Sequence, residues 1–124
     1  MTIEEALLTY LRAYAPLTAL VGQKIYFMEA VQSVSPDYVV FYKISGNRLH
    51  DLPFASPLIQ ISYYSENEWD AQAGAEVIVG AIKGFSGDMG SLYVAQGIYV
   101  NDRVFKQGDI YHAPVDIRLS YMEE

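Results

Sequence analysis

Apolar residues open the chain at helical spacing. Ile3, Leu7, Leu8 and Leu11 fall three or four apart and define one face, with Tyr10 and Tyr14 on a neighbouring stripe. Thr2 and Glu5 stand at the spacing of a capping box, which satisfies two orphan backbone donors at a helix start. Pro16 ends this predicted helix and can open a second, shorter one through its first turn. Leu17, Leu20 and Val21 form the apolar side of that short helix, and Gly22 ends it. The period then changes. Lys24 to Met28 is a short strand candidate, and Tyr38 to Ile44 is a strong one, rich in β-branched and aromatic residues. Residues 30–37 read as a polar connection between them. Ser45-Gly46-Asn47 breaks the second strand, and residues 47–57, with two prolines and mixed polarity, read as a loop. Leu58 to Tyr64 is a third strand.

Glu68 to Phe85 carries the longest helical pattern. Ala71, Ala75, Ile78, Ile82 and Phe85 recur at three- and four-residue steps, flanked by Trp69, Ala73, Val77 and Ala81. So wide an apolar face suits a helix lying across a sheet. Gly74 and Gly80 inside it each cost roughly 1 kcal/mol against Ala, and either can serve close packing. Gly84, Gly87 and Gly90 mark a flexible exit. Leu92 to Val104 and Tyr111 to Met122 read as long strands, with Gln107-Gly108-Asp109 as the hairpin turn. In the last strand Tyr111, Ala113, Val115, Ile117, Leu119 and Tyr121 alternate with His112, Pro114, Asp116, Arg118, Ser120 and Met122. That alternation predicts one covered face and one available face. Pro114 lacks a ladder donor and is expected at an edge or a bulge.

The order α-β-β-β-α-β-β has no regular strand–helix alternation, so a doubly wound parallel sheet is not expected. The pattern predicts one α+β domain over residues 1–124, a mainly antiparallel sheet with two or three helices packed on one face. No internal repeat or low-complexity tract is visible.

Composition narrows the function classes. The 124 residues contain no cysteine, which removes disulfides, thiolate zinc sites and thiol nucleophiles together. The formal net charge is -7, so phosphate backbones are repelled and tight nucleic-acid binding is disfavoured. Lys24, Lys43, Arg48, Lys83, Arg103, Lys106 and Arg118 are scattered and form no basic stripe. No apolar run approaches the roughly 20 residues that span a bilayer. The acidic start, Met1 to Glu5, is unlike a secretory signal, so none is expected. Tyrosine, with 11 copies, fits both half-buried strands and protein interfaces.

Candidate chemistry is sparse. His50 and His112 stand far apart, in a loop and a strand, and neither has a metal-ligand spacing. His50-Asp51 could form half of an acid–base pair with Ser45, Ser56 or Ser62, but no nucleophile-elbow pattern surrounds these serines. Glu66, Glu68 and Asp70 resemble the start of a calcium loop without its glycine and its distal Glu. Carboxylates at a helix N-terminus account for them better. The glycines at 84, 87 and 90 follow a helix and have no lysine among them, unlike a phosphate loop. No catalytic residue, cofactor or metal is expected. What remains is surface, suited to pairing sheet edges or docking sheet faces.

Several blocks, taken in order, carry a resemblance. They are Pro16 to Gly22, Lys24-Ile25-Tyr26, Ser35-Pro36, Tyr38 to Gly46, Arg48-Leu49-His50 and Pro57 to Tyr64. The long helix with Trp69 and Ala71 ends in Ile82-Lys83-Gly84-Phe85, and the chain closes with Val115 to Tyr121. This arrangement resembles the small tail-completion proteins of siphophages and prophages, related in fold to the phage lambda tail terminator. The resemblance covers nearly the whole chain and fits least well from Ser91 to Asp109. It implies a virion structural protein of the tail or neck, assembled in the host cytoplasm. Six copies would form a ring at the head-proximal end of the tail. The ring would stop growth of the tail tube and meet the head-side connector, with DNA passing through its channel unbound. A head–tail connector or stopper subunit is an alternative within the same setting. A small ligand-binding α+β domain or enzyme using His50 or His112 is the alternative outside it. For a ring, the candidate contact elements are the loop Asn47 to Ser56, the hairpin near Gln107 to Asp109, and the C-terminal strand. Within them Arg48, Leu49, His50, Asp51, Leu52, Phe54, Gln107, Asp109, Arg118 and Tyr121 are the candidate contact residues.

Overall fold

The apolar face of the first helix and the stripe of the long one point at the same side of one sheet. The computed structural model describes residues 2–30, 32, 34–46 and 54–122. Its helices are α1 (Ile3–Ala13), α2 (Ala15–Val21) and α3 (Glu68–Ile82). The strands are β1 (Ile25–Phe27), β2 (Tyr38–Ser45), β3 (Phe54–Ala55), β4 (Leu58–Ser65), β5 (Gly87–Met89), β6 (Leu92–Asp102), β7 (Phe105–Gln107) and β8 (Ile110–Met122). They form one eight-stranded sheet in the order β1-β2-β4-β8-β6-β5, with β3 and β7 pairing only with β8. Every pairing is antiparallel except β1 with β2. The α+β architecture expected from the residue pattern is the one observed.

Local chemistry explains the helix ends. The Thr2 hydroxyl accepts from the Glu5 N–H at 3.1 Å, and the Glu5 carboxylate accepts from the Thr2 N–H at 2.9 Å, completing the capping box. At α3 the cap is Asn67, whose Oδ1 accepts from the N–H groups of Trp69 and Asp70. Glu68 and Asp70 occupy the first turn, where carboxylates complement the helix dipole.

The core lies between the helices and one face of the sheet. In-register rows run across the strands: Val39, Tyr63 and Ala113 in one, and Phe41, Ile61 and Val115 in the next. Against them pack Leu7, Leu11 and Leu17 from α1 and α2, and Ala71, Ala75, Ile78, Ala81 and Ile82 from α3. Fully burying one such aliphatic side chain stabilises by about 1.5–3 kcal/mol. Gly74 lets α3 approach closely, since a Cβ there would fall within the Tyr63 ring. Tyr63 is fully buried and donates to the Asp37 carboxylate at 2.6 Å; burial, then that carboxylate, push its phenol far above the usual tyrosine range. Gly80 has no such role, with only the Tyr14 hydroxyl at 4.0 Å. Gly97 does, because a Cβ would strike the Ile82 carbonyl.

Four expectations need correction. The stretch read as a loop before Leu58 contains β3, and the glycine-rich exit contains β5. Both strands are too short to show a period of two. Trp69 and Ala73 do not belong to the apolar face of α3; Trp69 is 73% exposed. At 100° per residue they lie about 200° from Ala71 and Ala75 respectively, on the opposite side. The C-terminal strand is not an edge: β8 lies between β4 and β6. Pro114 is accommodated because β6 pairs with β8 from Val115 onward and β7 pairs only as far as His112. The missing N–H falls in that break, where the Pro114 carbonyl accepts from the Arg103 N–H at 3.3 Å.

Candidate assembly surface

The face of the sheet away from the helices carries the polar half of the β8 alternation. Its rows can be read from the pairing register. At one end, Tyr38, Tyr64, His112 and Phe105 stand side by side on β2, β4, β8 and β7. Tyr38 and Tyr64 stack at 4.9 Å, Tyr64 and His112 stack at 4.4 Å, and Phe105 meets His112 edge-on at 4.9 Å. Burial pushes both phenols up from the usual tyrosine range. Neither His112 ring nitrogen is hydrogen-bonded, although both are shielded from solvent. Burial, reinforced by the Arg103 charge, lowers the His112 pKa. Both effects favour the neutral imidazole.

Two rows along, polar groups link three strands. The Tyr42 hydroxyl donates to Gln60 Oε1 at 2.8 Å, and Gln60 Nε2 donates to Asp116 Oδ1 at 3.0 Å. Gln60 is only 9% exposed, so these bonds satisfy a group that burial would otherwise penalise. Further on, Arg118 Nη1 donates to the Ser56 carbonyl at 3.0 Å, and the Ser56 and Ser120 hydroxyls lie 3.1 Å apart.

The candidate contact residues divide between the two ends of β8. Gln107 and Asp109 are exposed at the β7–β8 hairpin, where Gly108 supplies the positive φ of the turn. Phe54 is 37% exposed and pairs with Met122, itself 50% exposed, at the opposite end. Ile44, near the end of β2, is also exposed, at 44%. The hairpin and Met122 are separated by up to about 40 Å along β8, at roughly 3.3 Å per residue. Arg118 is half-buried and engaged with Ser56. Tyr121 is 7% exposed and packs into the core from the covered face. Arg48, Leu49, His50, Asp51 and Leu52 lie outside the described residues.

Among the described residues, the serines considered for a reaction site do not converge on His112; His50 and Asp51 lie outside the described residues. Ser56 is paired with Ser120, Ser62 is buried, Ser45 is exposed at the end of β2, and none is hydrogen-bonded to His112. Among the described residues, no group of three or more His, Asp or Glu side chains is placed to hold a metal ion, and no helix is long and apolar enough to cross a membrane. The aromatic row was not foreseen. The residue types were visible at alternate strand positions, but their meeting depends on a register that only pairing supplies.

No protein-family model matches the chain, and no curated protein matches it by sequence. Solved structures do match its fold. A chain of a structure described as the virion of a native gene transfer agent particle superposes with a TM-score of 0.79 at 18% identity, over 97% of this chain and 94% of that one. A second solved protein, known only by a serial designation, superposes with a TM-score of 0.65 at 12% identity, over 100% of this chain and 98% of that one. At these identities the likeness is one of fold, shared over essentially the full length of each partner.

Proposed function

We propose that this chain is a structural subunit of a long-tailed phage-like virion rather than an enzyme. In this reading it forms a ring, of six copies, at the head-proximal end of the tail. The ring terminates the tail tube and presents a surface to the head-side connector. The observation that carries the reading is the near full-length fold match to a chain of a gene transfer agent virion. The block order described under Sequence analysis supports the terminator role within that setting. The open sheet face supports a role carried by surface, because its polar groups bond to one another instead of converging on a cleft. The acidic net charge suits a channel wall that lets DNA slide past.

The contacts assigned to the ring are the segment 47–56, the β7–β8 hairpin, and the end of the sheet around Phe54, Arg118 and Met122. Each closed contact should bury at least about 1,200 Å² in total. The test is the mass of the purified protein in solution, with electron microscopy alone and after mixing with tail tubes. Rings that cap tube ends are expected, and deletion of residues 48–54 should leave a folded subunit that assembles poorly. Persistent monomers that never bind tubes or connectors would refute the reading. Rings that bind connectors and ignore tubes would move the role to the neck.

A further inference from the structure

His112 sits where a polar ring has little reason to be. It is held between the Tyr64 face and the Phe105 edge, and both of its nitrogens are shielded and unbonded. As neutral imidazole it fills the row as one more flat ring. As imidazolium it carries two N–H donors, and neither finds an acceptor in this arrangement.

The groups around it offer little help. From β4 it meets the Tyr64 phenol, with the Tyr38 phenol of β2 stacked beyond. From β7 it meets Phe105. From the connection between β6 and β7 comes Arg103, a like charge, whose guanidinium lies 5.8 Å from the Phe105 ring. The carboxylate next to Arg103 in sequence, Asp102, is engaged by the Tyr99 hydroxyl. Attraction between an imidazolium and the Tyr64 face opposes release, but it leaves both new donors unsatisfied.

Phe105 belongs to β7, which is three residues long and pairs with β8 alone. All three of its residues are exposed. The Phe105–His112 contact is thus one side-chain tie between this hairpin arm and β8, on the outer face; Lys106 over the Tyr111 ring, at 6.0 Å, is another. We propose that the row Tyr38–Tyr64–His112–Phe105 is an acid-operated clasp: neutral His112 holds the hairpin arm down, and protonated His112 releases it. Solvating the two N–H groups requires the ring to part from Phe105, which leaves the three-residue Phe105–Gln107 ladder to β8 without that support and lets the hairpin arm fray from β8.

The sign follows from linkage. The folded protein holds His112 with a lowered pKa, so the unfolded or opened state binds the proton more readily. The hold is complete above the ordinary histidine value of about 6.5 and weakens as pH falls below it.

The clasp operates in an isolated subunit and does not depend on ring formation. Amide hydrogen exchange of residues 105–110, corrected for the intrinsic pH effect, reads it between pH 7.5 and pH 5. Protection in this segment should fall about tenfold, while β4 amides stay unchanged. His112→Phe keeps a flat ring and removes the proton site, so its hairpin protection should not vary with pH. His50→Gln should behave as the parent does. In the parent protein, NMR titration of the His112 ring should move together with the Phe105 ring signals, which tests the clasp even if the Phe variant folds poorly. Equal loss of protection in His112→Phe would overturn the proposal, as would His112 titrating while Phe105 stays in place.

Discussion

Val39, Tyr63 and Ala113 face the helices, while Val40, Ser62 and Pro114, one position along the same strands, face away from them. Both rows are buried, although no helix covers the second. On the covered side, burial comes from α1, α2 and α3 pressing apolar side chains onto the sheet. On the open side that row is flanked by stacked rings on one side and a hydrogen-bonded chain on the other. The covered face is held by area removed from water, which tolerates no charge. The open face is held by bonds between neighbours, and each of these contributes about 1 kcal/mol.

That contrast can be broken by substitution. The largest effect is expected at Ile78, fully buried on the sheet-facing side of α3. Ile78→Asp places an unpaired charge in the core and should cost several kcal/mol, abolishing the cooperative thermal transition in circular dichroism. Survival of the fold would mean that the covered face is not a packed core. Next is Gly74→Ala, whose added methyl must displace the Tyr63 ring and strain its bond to Asp37. A loss of about 1–3 kcal/mol in denaturant unfolding is expected from overpacking. On the open face, Gln60→Ala removes both links of the Tyr42–Gln60–Asp116 chain and should cost about 2 kcal/mol, roughly 1 kcal/mol for each bond. A loss as large as that of Ile78→Asp would erase the distinction between the faces. The smallest effect has the opposite sign. Gly80→Ala meets only the Tyr14 hydroxyl, at an ordinary contact distance of 4.0 Å, and should stabilise by up to about 1 kcal/mol through helix propensity, which sharpens the contrast with Gly74.

Legibility in the sequence followed the same division. The capping box at Thr2 and Glu5, the α3 stripe through Ala71, Ala75, Ile78 and Ile82, and the β8 alternation are periodic signals, and each matches an element observed. The pairs β3 and β5 were hidden because two or three residues cannot display a period. Trp69 misled because apolar character alone does not say which side of a helix a residue takes. Pro114 suggested an edge, while a break between two partners on one side of β8 was the device used. Of the candidate contacts, the exposure of Gln107 and Asp109 followed from turn chemistry. Tyr121, a candidate contact on sequence grounds, is corrected to a core residue: it shares the covered face of β8 with Ala113, Val115, Ile117 and Leu119, while Arg118 lies on the outer side. The stacking of His112 between Tyr64 and Phe105 depends on the register of three strands and had no local signature.

The central claim is that this chain acts by repetition of its surface within a virion. An electron-density map of the intact particle tests it most directly. The account predicts a ring of six copies at the junction between tail tube and head-side connector, with the β7–β8 hairpin and the segment 47–56 at contacts between neighbours. Particles purified to homogeneity that lack this chain, or that carry it as isolated copies away from the neck, would contradict it.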